Sequence, residues 1–220
     1  MQALRQALWA ETPIFAGFDA AEVEADLQGW NVHHPYLRQV VEEIRPDLLV
    51  EVGVWKGASL LHMAEVVREH GLPTALLAVD TWLGGWDHWE LPEWFGSLRM
   101  QNGFPRLYYT FLGNVLRAEA DDVVTPLPLD SINAATLLRR KGLAADVVHV
   151  DGGHDYASVA SDLRAWWPVL RPGGVMIADD YDATGAVWWA VRDAVNDFLA
   201  ETAHEDFRAE PYKCRFTKPA

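Results

Sequence analysis

The 220-residue sequence contains one cysteine, Cys214, so no internal disulfide can form and a reducing compartment is expected. Basic residues are scarce. Eighteen Lys and Arg against 32 Asp and Glu leave a net charge of −14, the reverse of what a phosphate backbone selects in a nucleic-acid binder. No apolar run approaches the roughly 18 residues of a membrane span. The opening MQALRQALWAETPIFAGF lacks the apolar core and small-residue cleavage site of a secretory signal. The G-x-G-x-x-G of dinucleotide folds is missing, and no repeat, low-complexity tract or Gly/Ser linker divides the chain. These absences leave a cytoplasmic, soluble protein without nucleic-acid or membrane partners, made of one domain over residues 1–220.

What is present is an alternation of apolar runs and amphipathic segments. Residues 1–45 read as an interrupted helical extension closed by Pro46. Strands are expected at 48–54, 75–80, 123–130, 146–153 and 175–181. Helices are expected at 58–71, 106–120, 131–142, 156–174 and 185–201, and the tail 207–218 supplies a closing pair of strands. Continuous apolar strands separated by helices describe a parallel sheet covered on both faces, an α/β fold. Ligands of such sheets lie beyond the carboxyl ends of the strands.

Those ends are rich in acids. Glu51, Gly53 and Gly57 form E-x-G-x-x-x-G at a strand-to-helix turn, where glycine serves either close ligand approach or the turn itself. Asp80 ends the second strand, placed to accept from ribose hydroxyls or to cap the next segment. Asp130 and Ser131 follow the third strand, as adenine contacts or as an N-cap. Asp151 ends the fourth strand in VVHVDGGHDY, and Asp179 and Asp180 end the fifth in GGVMIADDYD. Two like charges about 4 Å apart cost about 4 kcal/mol at an effective dielectric of 20. Converging, the three acids need neutralisation by protons, a basic side chain or a metal. All-oxygen ligation at a half-open site suits a hard ion such as Mg2+. His154, three residues beyond Asp151, is available as a neutral base near pH 7 or as a further ligand. His149, inside its strand, reads as a bonded core histidine. His33 and His34 are neighbours that point apart and make a poor chelating pair.

The order EVGVWKG, VDTW, DVVHVDGGH, RPGGV and DDY resembles the class I S-adenosylmethionine-dependent methyltransferases over residues 46–200. More narrowly, it is similar to the metal-dependent O-methyltransferases that modify sugars on natural products such as macrolides. The resemblance implies a Rossmann-like fold with a mostly parallel seven-stranded sheet, helices on both faces and the N-terminal helical extension. It also implies S-adenosyl-L-methionine at Glu51, Gly53, Lys56, Gly57, Ser59, Asp80, Thr81, Asp130 and Ser131. Mg2+ or Mn2+ would lie at Asp151, Asp179 and Asp180, with His154 as general base beside Asp151. The acceptor would be a small hydroxylated molecule, a sugar or glycosylated metabolite; a catechol-like diol is the alternative within the fold. A nicotinamide oxidoreductase and a non-catalytic cofactor-binding module are the competing classes.

Eleven tryptophans are unusual, and five large aromatics crowd TWLGGWDHWELPEWFG within an insertion at 81–103. It is expected to form a substrate lid, or else to pack in the core or a subunit interface of a homo-oligomer. Trp82, His88, Tyr156 and Tyr181 are the expected substrate-side residues.

Overall fold

Strands that are apolar at every position must be covered on both faces. In a computed structural model, which describes residues 1–10, 12–182 and 189–220, the first four strands are buried throughout. These are β1 (Leu48–Val52), β2 (Ala75–Val79), β3 (Val124–Leu127) and β4 (Ala145–Val150). With β5 (Leu170–Asp179), β6 (Glu205–Glu210) and β7 (Lys213–Thr217) they make one seven-stranded sheet in the order β3-β2-β1-β4-β5-β7-β6. Pairing is parallel from β3 through β5; β7 runs antiparallel to β5, and β6 antiparallel to β7.

Alternation divides the core into two layers. Leu49, Leu76, Val147 and Ile177 face α2 (Pro35–Ile44), α3 (Ala58–Glu69) and α6 (Leu107–Arg117). Val50, Leu77, Val148 and Met176 face α7 (Ser131–Arg140), α8 (Tyr156–Trp166) and α9 (Trp189–Glu201). The short α1 (Gln2–Trp9) contributes Leu4 to the second layer, and a single 3-10 turn at Ala20–Glu22 interrupts the N-terminal extension. The insertion carries two short helices, α4 (Trp86–Glu90) and α5 (Pro92–Phe95).

Two of the boundaries that differ from the sequence pattern have a visible local cause. The third strand stops at Leu127, because the chain then turns so that Asp130 caps α7, its side chain accepting from the Asn133 N–H at 3.0 Å. The helix expected to reach residue 174 stops at Trp166, just before Pro168, and the RPGG stretch is an irregular start to β5 with a bulge against β4. The expected helix start at residues 185–188 lies outside the described residues. Among the described residues no helix is long and apolar enough to cross a membrane.

Candidate active site

The carboxyl ends of β1 to β5 open into one cavity of about 600 Å³, a size typical of small-molecule sites. Its floor is made by the crossing of β1 and β4. Gly53 (φ +81°) donates its N–H to Val79 O, and Asp151 N donates to Val52 O. A Cβ at Gly53 would fall onto the Asp151 carbonyl, so only glycine lets the two strand ends meet. Asp80 organises the next turn. Its Oδ2 accepts from Val54 N at 2.8 Å and Trp55 N at 2.9 Å, and its Oδ1 from Trp82 N at 2.7 Å. Burial pushes this carboxyl up, opposed by those three backbone bonds. An ionised carboxylate has about four acceptor positions, so one remains for a ligand hydroxyl.

At the β3 side the cavity meets Asp130 and Ser131 and a residue absent from the sequence reading, Asp162 of α8. Trp166 Nε1 donates to Ser131 Oγ at 2.9 Å, and Ser131 bonds Asp162 in turn. Burial pushes the Asp162 carboxyl up to about 6. This wall offers mainly acceptors, which suits an amino-bearing ring.

The other end carries the acids. Asp151, His154 and Asp180 each present one ligand atom, all within 4.8 Å of one another. His154 Nε2 lies 3.3 Å from Asp180 Oδ2. Asp179 lines the same cavity, but its Oδ1 accepts from the Lys213 ammonium at 2.6 Å and from Asp180 N at 2.9 Å. Burial first, then the Asp179 charge, hold the Asp151 carboxyl well above the ordinary carboxylate range. Burial acts upward on Asp179 too, but the Lys213 charge and His149 outweigh it and hold Asp179 low. Burial, then Asp179, push Asp180 up to about 7. Burial lowers the His154 pKa, leaving a neutral imidazole near pH 7. Of the three means of neutralisation open to the sequence, a basic side chain is in use, the Lys213 ammonium against Asp179.

Behind the floor runs a polar chain in which Glu51, His149 and Lys213 are fully buried. Ser59 Oγ donates to Glu51 Oε1 at 2.5 Å, His149 Nδ1 lies 2.9 Å from the same oxygen, and Lys213 Nζ stands 3.5 Å from His149 Nε2. Glu51 Oε2 is buried with no hydrogen-bond partner.

Other expected site residues lie elsewhere. Ser59 and Thr81 line the cavity, whereas Glu51 sits beneath it. Lys56 turns away, bonding Asp26 at 2.7 Å and Gln28 at 2.8 Å, and Gly57 starts α3 against the Phe111 ring. Trp82 is fully buried between Tyr108 and Phe111, its Nε1 donating to Trp55 O. Tyr156 bonds Asp197, and Tyr181 bonds Asn196 and packs on Phe207, both outside the cavity. His88 does line it, its ring 4.5 Å from Trp55 and 5.9 Å from Trp94, and Trp94 meets Trp30 at 5.0 Å. The insertion thus splits: Trp82 anchors it in the core, Trp94 and His88 edge the cavity, and Trp86 and Trp89 are exposed. His33 and His34 do point apart, toward His62 and Pro211. Lys213 and Asp162 were missed; YKCRF holds a second cation, Arg215, so the sequence does not single out Lys213.

The chain is similar in sequence or in fold to several known proteins. The uncharacterized protein y4gI of Sinorhizobium fredii is 28% identical over 176 residues, covering 77% of this chain and 18% of that protein. The 8-demethyl-8-(2,3-dimethoxy-alpha-L-rhamnosyl)-tetracenomycin-C 4'-O-methyltransferase of Streptomyces olivaceus is 29% identical over 178 residues, covering 70% of this chain and 58% of that enzyme. The chain therefore spans less than two thirds of either relative. In fold it is similar to the O-methyltransferase NovP, with a TM-score of 0.61 at 22% identity, covering 86% of this chain and 80% of that one. It is also similar to the O-methyltransferase TomG of Streptomyces achromogenes, with a TM-score of 0.60 at 16% identity, covering 100% and 91%. A family model described as a methyltransferase domain matches residues 50–181, the stretch that holds most of β1, all of β2 to β5 and every acid of the cavity. With more than half its length inside that match, the chain belongs to the methyltransferase-domain family.

Proposed function

We propose that the chain transfers the methyl group of S-adenosyl-L-methionine to a hydroxyl of a sugar or glycosylated natural product, assisted by Mg2+ or Mn2+. The observation that carries this reading is the meeting of Asp151, His154 and Asp180 in the cavity that also holds Gly53 and Asp80. Two carboxylates with an adjacent imidazole fit a hard or borderline dication, and Asp151 and Asp180 would hold it. Such an ion, when bound, acts as a Lewis acid and template that makes a hydroxyl easier to ionise.

The chain's own residues do the rest. Gly53 lets the donor approach the backbone, the spare acceptor of Asp80 takes a ribose hydroxyl, and Asp130 and Ser131 border the adenine. His154, kept neutral by burial and set against Asp180, takes the acceptor's proton. Tryptophan faces stack on the apolar faces of sugars, and Trp30, Trp55 and Trp94 supply them at the cavity edge. The Streptomyces olivaceus relative is named for methylation of a rhamnosyl hydroxyl, which supports the same acceptor class.

Incubation with S-adenosylmethionine, Mg2+ and a panel of glycosylated acceptors, read by mass spectrometry, tests the reading. Methylated sugar product that disappears with EDTA is the expected result. Methylation confined to catechols would remove the sugar, and undiminished turnover in EDTA would remove the ion. His154→Ala should lose turnover yet keep ion binding; loss of ion binding would make His154 a ligand instead.

A further inference from the structure

The acid cluster is charge-balanced from inside the protein, and the geometry points to Lys213 as a resident cation that withholds Asp179 from the divalent ion and weakens the ion's hold on Asp151 and Asp180. The inference rests on the ion proposed above. Its own support is the sheet. Lys213 opposes Asp179 in the antiparallel register of β5 and β7, and both side chains lie on the face that carries Glu51 and His149. The lysine is fully buried, with strand neighbours fixing its backbone on both sides. It cannot swing out to solvent without breaking the sheet edge.

Asp179 is correspondingly occupied. Of its roughly four acceptor positions, one takes Lys213 and one takes Asp180 N, both at Oδ1. Among the described residues, the candidate ligand groups are Asp151, His154 and Asp180 in the cavity, and Glu51, His149 and Asp151 at and beneath its floor; neither contains Asp179. A fixed ammonium and a dication served by one connected set of carboxylates repel each other. The lysine keeps the cluster assembled before any ion arrives, and the ion is held more loosely as a result. Lys213 is a positioning residue in this scheme: it touches Asp179 and not the reacting groups.

The test is calorimetric titration of Mn2+ into wild type and Lys213→Met, each saturated with S-adenosylhomocysteine, with melting curves run with and without Mn2+. Lys213→Met should bind Mn2+ at least tenfold more tightly than wild type. It should melt lower without ion and recover with it, because Asp179 then needs the ion as its counter-charge. Lys213→Arg, which keeps the charge, should match wild type. If the methionine variant does not fold, Lys213→Gln gives the same comparison, since its amide can still donate to Asp179 without charge. Wild type that binds Mn2+ with neutral variants no tighter overturns the role of Lys213 and leaves the ion in place. Variants that bind where wild type does not support Lys213 and remove the ion from the native reaction. Absence of binding in all of them overturns both.

Discussion

Asp162 shows how one buried acid imposes a pH dependence. Its folded pKa is raised by burial to about 6, above the ordinary aspartate value of about 3.9. Between those values the folded chain holds a proton that the unfolded chain has lost, so stability falls as pH rises from about 4 to 6 and the cost is complete above that. Asp162→Asn abolishes the ionisation while keeping an oxygen for the Ser131 hydroxyl. It should raise stability by about 1–3 kcal/mol at pH 8 and flatten the pH profile between about 4 and 6. Urea melts at several pH values measure this, and an unchanged profile would count against the burial of that carboxylate. Gly53 is the opposite case, a residue defined by what it lacks. Gly53→Ala forces a methyl onto Asp151 O and a side chain into positive φ. A loss of about 3 kcal/mol or more is expected, seen as an early denaturant midpoint; a wild-type midpoint would mean that β1 and β4 can part freely.

At the level of elements, the aromatic insertion is held by Trp82, not presented by it. That ring is sealed between Tyr108 and Phe111 of α6 and ties its N–H to the Trp55 carbonyl. Trp82→Ala should cost about 3–5 kcal/mol, a fall in melting temperature on the order of 10 °C for a chain of this size, measurable by calorimetry. A small fall with a large rise in acceptor KM would return Trp82 to the substrate side. The case shows what was legible. Strand cores such as ALLAV, and LLVEV but for Glu51, announce themselves because their positions are apolar, and the acids that follow them mark the ligand end of the sheet. Side-chain direction within an insertion carries no such periodic signal, so Trp82 and Trp94 look alike in sequence although one is core and the other borders the cavity. Lys213 was hidden for a related reason. Its partner Asp179 lies 34 positions earlier, and only the antiparallel register of β5 with β7 brings them together.

For the whole molecule, the sheet order separates two tasks along one cavity. The ends of β1, β2 and β3 present Gly53, Asp80 and Asp130, and the ends of β4 and β5 present Asp151, His154 and Asp180. In the proposed reading, donor binding and acceptor activation draw on different strands, whose ends meet at Gly53 and Asp151. Removing the divalent ion should disturb the second task and spare the first. In EDTA, S-adenosylhomocysteine affinity should stay within about threefold of its value with ion, while turnover falls at least a hundredfold, the pattern of an interaction used in the transition state and not in donor binding. Titration calorimetry beside a methyl-transfer assay reads both quantities on one sample. If the chelator weakened donor affinity as much as it slowed turnover, the two ends would be one coupled site. The Asp151–Gly53 crossing would then be a conduit between them, not a partition.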